Sequence, residues 1–153
     1  MTSTDARLHA TCPLCGPAPA LLWEDAHLRV IRVDNTPFPG YIRVIWRRHV
    51  AEMTDLSGVE RDHLMQVVYR VETLQRRILQ PDKINLASLG NQVPHLHWHL
   101  IPRWRADPCF PDAIWAPGRD DPATQSAWQR WAQDLAARLP ALYDAIATAL
   151  QNT

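Results

Sequence analysis

The stretch that decides the fold is residues 91–104, NQVPHLHWHLIPRW, in which histidine occupies every second position from 95 to 99. Apolar residues fill the positions between them. Because successive side chains of a β-strand point to opposite faces, this alternation predicts a strand over residues 94–102. The three histidines then share one face, with neighbouring imidazoles about 6–7 Å apart, which is twice the rise per residue. The apolar residues face the core and fix the register, since a one-residue slip would bury the imidazoles instead.

The segments around this strand predict an α+β fold, in which an antiparallel sheet packs against helices on one face. Residues 21–34 are rich in β-forming residues and predict two short strands, and residues 83–90 predict another. In residues 41–50, apolar residues alternate with charged ones, with positions 42, 44 and 46 on the core side, so this segment also predicts a strand. Consecutive strands joined by short turns favour antiparallel pairing.

Two segments carry the helical period. Ser57 and Glu60 fit a capping box, and the apolar residues that follow recur at helical spacing, which predicts a helix over about residues 57–80. A second helical stripe covers residues 124–150. Pro140 is expected to break this stripe into two helices, because proline lacks the N–H and crowds the preceding turn.

Length and composition limit the class of protein. The chain has 153 residues, of which 46% are hydrophobic, and we expect a single domain over residues 1–153. Residues 1–20 form an irregular N-terminal arm and residues 103–123 a proline-rich arm. Sixteen basic residues balance sixteen acidic ones, which argues against long nucleic acid or a membrane surface as partner. No apolar run reaches the roughly 20 residues of a membrane helix and the N-terminus lacks a signal-peptide core, so a cytoplasmic protein is expected.

Three uses are open to histidines in this register: an ordinary polar face, a metal site and covalent catalysis. Imidazole is a common ligand for zinc and copper. Neutral imidazole is also a good nucleophile near pH 7, and a protonated neighbour can stabilise a phosphate. Three histidines on one face favour the two chemical uses over an incidental polar surface.

The segment HLHWHLI at residues 95–101 resembles the signature of the histidine triad (HIT) family, in which three histidines alternate with apolar residues. Its approach, INLASLGNQVPH at residues 84–95, resembles the asparagine-containing strand and the Gly-Gln-Ser-Val loop of that family. VIWRRHV at residues 44–50 resembles the family's strand that ends in a basic pair and a histidine. The resemblance extends from about residue 12 to residue 103, most of the chain.

The resemblance implies a nucleotide hydrolase or nucleotidyl transferase, usually a homodimer without an organic cofactor. Its substrate is a nucleoside phosphate derivative cleaved at the α-phosphate, such as a dinucleoside polyphosphate or a phosphoramidate. By resemblance, His97 attacks phosphorus and forms a nucleotidyl-histidine, and His99 contacts phosphate oxygens and assists the leaving group. The carbonyl of His95 is expected to accept the other N–H of His97 and fix its tautomer. Two alternatives stay open: a nucleotide-binding protein with little turnover, and a zinc protein whose histidines serve only the metal.

The same resemblance supplies candidates for nucleotide binding. Asn85 and Asn91 match polar positions near the phosphates. Asp34 matches an acidic residue that holds the ribose hydroxyls, a task that suits a carboxylate because it accepts two hydrogen bonds. Tyr41 stands where many members have histidine, a departure that bears on the substrate more than on the chemistry. Arg103, at the end of the predicted strand, is a candidate to meet a phosphate or a carboxylate, and an ordinary surface arginine is the alternative.

Cys12 and Cys15 have the spacing of half a zinc site, which needs two further ligands. The resemblance implies that His49 and His95 complete it, as in some bacterial members, and that the resulting structural zinc site attaches the N-terminal arm to the sheet. Two other interpretations stay open: unligated reduced thiols, and a redox pair, although the following GPAPA is a poor helix start for a redox motif. Cys109 is assigned to packing.

Overall fold

The computed structural model describes residues 11–151, so the first part of the N-terminal arm lies outside the described residues. The strands are β1 (Leu21–Glu24), β2 (Leu28–Arg32), β3 (Ile42–Trp46), β4 (Lys83–Ser88) and β5 (His97–Arg103). They form one antiparallel sheet in the order β1-β2-β3-β5-β4. The helices are a short 3-10 helix (Met53–Asp55), α1 (Gly58–Leu79), α2 (Pro122–Ala136) and α3 (Leu139–Leu150). The predicted α+β fold class is confirmed.

Helix α1 begins where the capping box predicts. The side-chain oxygen of Ser57 accepts the N–H of Glu60 at 3.3 Å, and the Glu60 carboxylate accepts the N–H of Ser57 at 2.7 Å. The helix ends before Gln80, which adopts the left-handed conformation with φ of 52°. The apolar stripe of the helix is buried and packs against β3 and β5. Its members are Leu64, Val67, Val68, Val71 and Leu74.

The C-terminal segment forms two helices, as predicted, but the break precedes the proline. Helix α2 ends at Ala136 and α3 begins at Leu139, so Pro140 lies in the first turn of α3. Proline is tolerated there because the first N–H groups of a helix have no intrahelical acceptor. Helix α3 packs against α1 and β1 and extends the core. Within the described residues, no helix combines the length and the apolar character that crossing a bilayer requires.

Strand β5 lies between β3 and β4, and both of its faces are covered. It begins at His97, so His95 precedes the strand instead of opening it. The register pairs His99 with Arg43 on β3. An exposed row of imidazoles is not observed: His95 is 0% exposed, His97 6% and His99 5%. The N-terminal arm and Trp115 lie over this face, so the histidines are buried without any slip in register.

Gly40 brings the chain into β3 with a φ of +75°, and a Cβ there would clash with Cδ1 of the buried Leu79. We expect Gly40→Ala to lower the free energy of unfolding by about 2–4 kcal/mol, because left-handed strain adds to overpacking. Urea unfolding measures the change. Gly58→Ala is the matched control, since nothing lies within 4 Å of its Cβ. Equal stability changes in the two variants would contradict this explanation.

Candidate active site and metal centre

The ring of His97 is fixed by the backbone just before it. Its Nδ1 lies 2.6 Å from the carbonyl oxygen of His95, and because a carbonyl oxygen only accepts, Nδ1 carries the proton. Nε2 then holds a lone pair, and the side chain lines a cavity. Burial is the largest effect on the pKa of His97 and lowers it below its ordinary value. At pH 7 His97 is therefore a neutral imidazole with an unprotonated Nε2, the form that acts as a nucleophile.

His99 is held by Tyr41, whose hydroxyl is hydrogen-bonded to its Nδ1. Burial, and after it repulsion from the protonated form of His97, lowers the pKa of His99 to about 4, while burial raises the pKa of Tyr41, so both are neutral at pH 7. A neutral phenol is a stronger donor than a neutral imidazole, so Tyr41 donates to Nδ1 and Nε2 of His99 keeps its proton. The two imidazoles, with ring centroids 4.6 Å apart, thus offer a lone pair and an N–H side by side.

A cavity of about 370 Å³ opens at His97 and His99, within the size range of small-molecule sites. The loop of residues 89–93 forms one wall, and residues 13–14 of the N-terminal arm form another. Trp115 closes a third side, where its ring stands edge-on to His99 with centroids 5.7 Å apart. The site therefore combines two imidazoles with largely apolar walls.

Sequence reasoning missed two residues of this site. The sequence marks Tyr41 only as a departure from the family pattern, and it does not single out Arg43. Arg43 lines the cavity and lies directly opposite His99 in the β3–β5 register. The signal was present in the alternation of β3: if positions 42, 44 and 46 face the core, positions 41 and 43 face the other side. This signal can be used only if it is known that β3 pairs with β5, the strand that carries His97 and His99.

The candidate nucleotide-binding residues are only partly brought together. Asn91 lines the cavity. Asn85 lies on β4, on the same face as the histidines, and its Oδ1 accepts an N–H of Arg103 at 2.9 Å. Asp34 does not line the cavity; its side chain is 52% exposed and pairs with Arg32 at 3.0 Å. The contacts predicted for Asn85 and Asp34 with a nucleotide therefore need either a different local conformation or a ligand that extends beyond the cavity.

A second group of side chains, the cysteine–histidine cluster, consists of Cys12, Cys15, His49 and His95. Their ligand atoms all lie within 4.8 Å of one another. Nδ1 of His95 is 3.3 Å from Sγ of Cys12, and Nδ1 of His49 is 3.3 Å from Sγ of Cys15. Tetrahedral zinc with ordinary bond lengths places its sulfur and nitrogen ligands about 3.5 Å apart, so both the donor set and the spacing fit this metal.

The surroundings of the cluster also fit a metal. Nε2 of His95 lies 2.5 Å from the carbonyl oxygen of Trp46, and a hydrogen bond behind the ligating nitrogen is the usual support of a metal-bound histidine. Burial, and after it the neighbouring Cys12, raises the pKa of Cys15 to about 11. Cys15 is therefore a thiol near pH 7 unless a cation holds it as a thiolate. The residues between the cysteines form a cavity wall, so the cluster and the cavity share one segment.

With this geometry in place, comparison with known proteins identifies the family. The model of the HIT domain matches residues 18–106, more than half of the chain. The chain belongs to the HIT family. Among its curated relatives, AP-4-A phosphorylase of Mycobacterium tuberculosis is 30% identical over 78 residues, which cover 47% of this chain and 40% of that protein. The asymmetrical bis(5'-nucleosyl)-tetraphosphatase of Schizosaccharomyces pombe is 32% identical over 74 residues, which cover 45% of this chain and 41% of that protein. The matches thus span less than half of these relatives.

Solved HIT structures share the fold over nearly the whole chain. A histidine triad protein from Bradyrhizobium japonicum has a TM-score of 0.59 and 24% identity, with 91% of this chain and 96% of that chain covered. A zinc-bound histidine triad family protein from Mycobacterium smegmatis has a TM-score of 0.58 and 22% identity, with 94% and 98% covered. At these identities the comparisons establish the common fold.

Proposed function

We propose that this HIT protein is a nucleotide hydrolase or nucleotidyl transferase that cleaves at the α-phosphate of a nucleoside phosphate derivative through a nucleotidyl-histidine on His97. The observation that carries the proposal is the hydrogen bond from Nδ1 of His97 to the carbonyl of His95, which leaves an unprotonated Nε2 at the cavity. The names of two curated relatives, an AP-4-A phosphorylase and a bis(5'-nucleosyl)-tetraphosphatase, support dinucleoside polyphosphates as the substrate class.

In the first step Nε2 of His97 forms a bond to the α-phosphorus. The bond from that phosphorus to the leaving group breaks, and the leaving group takes the electron pair. The N–H of His99 donates a hydrogen bond to the atom that departs. In the second step the oxygen of water, or of another acceptor, bonds to phosphorus, the electron pair of the P–N bond returns to Nε2, and the acceptor's proton passes to solvent.

The three candidate nucleotide-binding residues differ in how well their positions support that role. Asn91 lines the cavity and is proposed to contact the phosphates. The contacts of Asn85 with phosphate and of Asp34 with ribose stay predictions, because neither side chain lines the cavity.

The cysteine–histidine cluster would hold a zinc ion with a structural role, because four protein ligands leave no open coordination position. The expected consequence is that residues 12–15, and with them one wall of the cavity, are attached to the sheet. The unligated-thiol alternative predicts the same fold without bound metal, and metal analysis of the purified protein separates the two.

Hydrolysis of diadenosine tetraphosphate in oxygen-18 water tests the position of cleavage. The proposal predicts that the label enters AMP, because water reaches the α-phosphorus, and that ATP leaves without label. Mass spectrometry of the separated products measures this distribution. Label in ATP, or symmetric cleavage into two ADP molecules, would contradict the proposal.

Tyr41→Phe is expected to lower kcat by about tenfold with little change in KM. Phenylalanine keeps the ring but removes the hydrogen bond that holds the tautomer of His99. Steady-state kinetics with the same substrate measures the effect. Tyr69→Phe is the matched control, because Tyr69 is exposed on α1 and does not line the cavity. Equal kcat values for the Tyr41 variant and the control would argue against a positioning role.

A further inference from the structure

One cation on the histidine face lacks a carboxylate partner. Arg43 lines the cavity opposite His99. Among the residues that the structure describes, no acidic side chain lies within 4 Å of its guanidinium. Its Nε is buried without a hydrogen-bond partner, and the guanidinium carbon lies 5.6 Å from the centroid of the Tyr41 ring. A charge held in this way is expected to find its partner in a ligand.

Arg103 provides the contrast. It lies on the same face of β5 as the histidines and is 1% exposed. Asp107 meets it with both carboxylate oxygens, at 2.8 and 3.0 Å, and Asn85 accepts a third hydrogen bond at 2.9 Å. Arg103 is therefore neutralised inside the protein, whereas the charge of Arg43 is left for the cavity.

The cavity around Arg43 favours an anion. No aspartate or glutamate is among the described residues that line it. Arg43 is thus the one arginine, lysine, aspartate or glutamate among the described lining residues, and it lies opposite His99 in the β3–β5 register.

We propose that Arg43 binds the phosphate that leaves, so that the protein prefers nucleotide derivatives with a phosphate-chain leaving group over those that release a neutral amine. This inference rests on the proposed function, in which His97 attacks phosphorus and His99 meets the leaving group. When the bond from the α-phosphorus to the bridging oxygen breaks, the electron pair and a full negative charge pass to the leaving phosphate. A guanidinium stabilises that charge in the transition state. A departing amine instead takes the electron pair of the P–N bond together with a proton from solvent and leaves as a neutral molecule, so a fixed cation gives it no comparable help.

Kinetics with two substrates tests the preference. Arg43→Leu is expected to lower kcat/KM for diadenosine tetraphosphate by about 100-fold, but to lower kcat/KM for adenosine phosphoramidate by less than about threefold. Arg47→Leu is the matched control, because it removes the same charge from an exposed position beyond β3 and should change neither value. Arg43→Gln repeats the test if the leucine variant does not fold. Equal losses of kcat/KM on both substrates, or no loss on either, would overturn the inference about Arg43. Turnover by the wild type in the same experiment would still support the proposed function.

Binding measurements distinguish the proposed function from the proposed anion site at Arg43. In His97→Ala protein, which cannot form the intermediate, ATP is expected to bind at least about tenfold more tightly than AMP, because only ATP places further phosphates beside Arg43. Adding Arg43→Leu should remove this difference, as measured by isothermal titration calorimetry. If this pattern appears but the wild type consumes neither substrate, the proposed function fails and the anion site stands. If ATP and AMP bind equally, or neither binds, the inference fails.

Discussion

Replacing His97 with alanine is expected to lower kcat for diadenosine tetraphosphate by at least about 10⁴-fold, while the Kd of the substrate changes by less than about threefold. The reason is that the side chain supplies the atom that bonds to phosphorus, whereas the cavity walls and the cation opposite His99 remain. Single-turnover kinetics measures the chemical step, and isothermal titration calorimetry measures the affinity.

His27→Ala is the matched control for this experiment. His27 is exposed and stacks on Trp46, with ring centroids 5.4 Å apart, and it does not line the cavity. Its replacement should leave kcat within about twofold of the wild type, as for most surface changes. Residual turnover by the His97 variant at a tenth or more of the wild-type rate would exclude His97 as the nucleophile.

The second large effect is expected at the cysteine–histidine cluster. Cys15→Ala should abolish zinc binding and lower Tm by about 10 °C, which corresponds to about 3 kcal/mol for a chain of this size. The loss follows because the ligands connect residues 12–15 to His49, which follows β3, and to His95, which precedes β5. Since residues 13–14 form a cavity wall, KM is also expected to rise. Elemental analysis measures the zinc content, and differential scanning calorimetry measures Tm.

Cys109→Ala is the control that distinguishes the loss of a zinc ligand from the loss of a cysteine elsewhere in the protein. Cys109 is buried in the proline-rich arm and lies outside the cluster, so this variant should keep its zinc. A strong chelator should lower the Tm of the wild type and leave that of Cys15→Ala unchanged. Wild-type protein that holds no zinc after purification in its presence would favour unligated thiols.

The period of the sequence was enough to predict β5 but could not predict what covers it. Leu96 and Leu100 are buried, as the alternation required. The histidine face is also buried, because the N-terminal arm lies over it: Cys12 and His95 are 83 positions apart in the chain. Contacts at such separation leave no trace in a local hydrophobic pattern. The histidines therefore form a buried site, although their side chains point away from the apolar side of the strand.

The site residues show the same difference between contacts that are local in the sequence and contacts that depend on long-range pairing. The hydrogen bond between Nδ1 of His97 and the carbonyl of His95 depends on neighbours in sequence, and it was expected from the family pattern. Tyr41 and Arg43 act only because β3 pairs with β5, a long-range pairing that local patterns do not encode. The sequence does not decide which group Arg103 contacts. In the structure its partner is a carboxylate, because Arg103 forms two hydrogen bonds with Asp107.

The covalent intermediate on His97 is tested most directly by intact-protein mass spectrometry after a rapid quench with diadenosine tetraphosphate and, separately, adenosine phosphoramidate. The quench is neutral or basic, because the bond between phosphorus and imidazole nitrogen is acid-labile. We expect an adenylate adduct on the wild type and none on His97→Ala. A wild type that consumes substrate without any adduct at the earliest quench times, or an adduct that persists in His97→Ala, would contradict a nucleotidyl-histidine at this position.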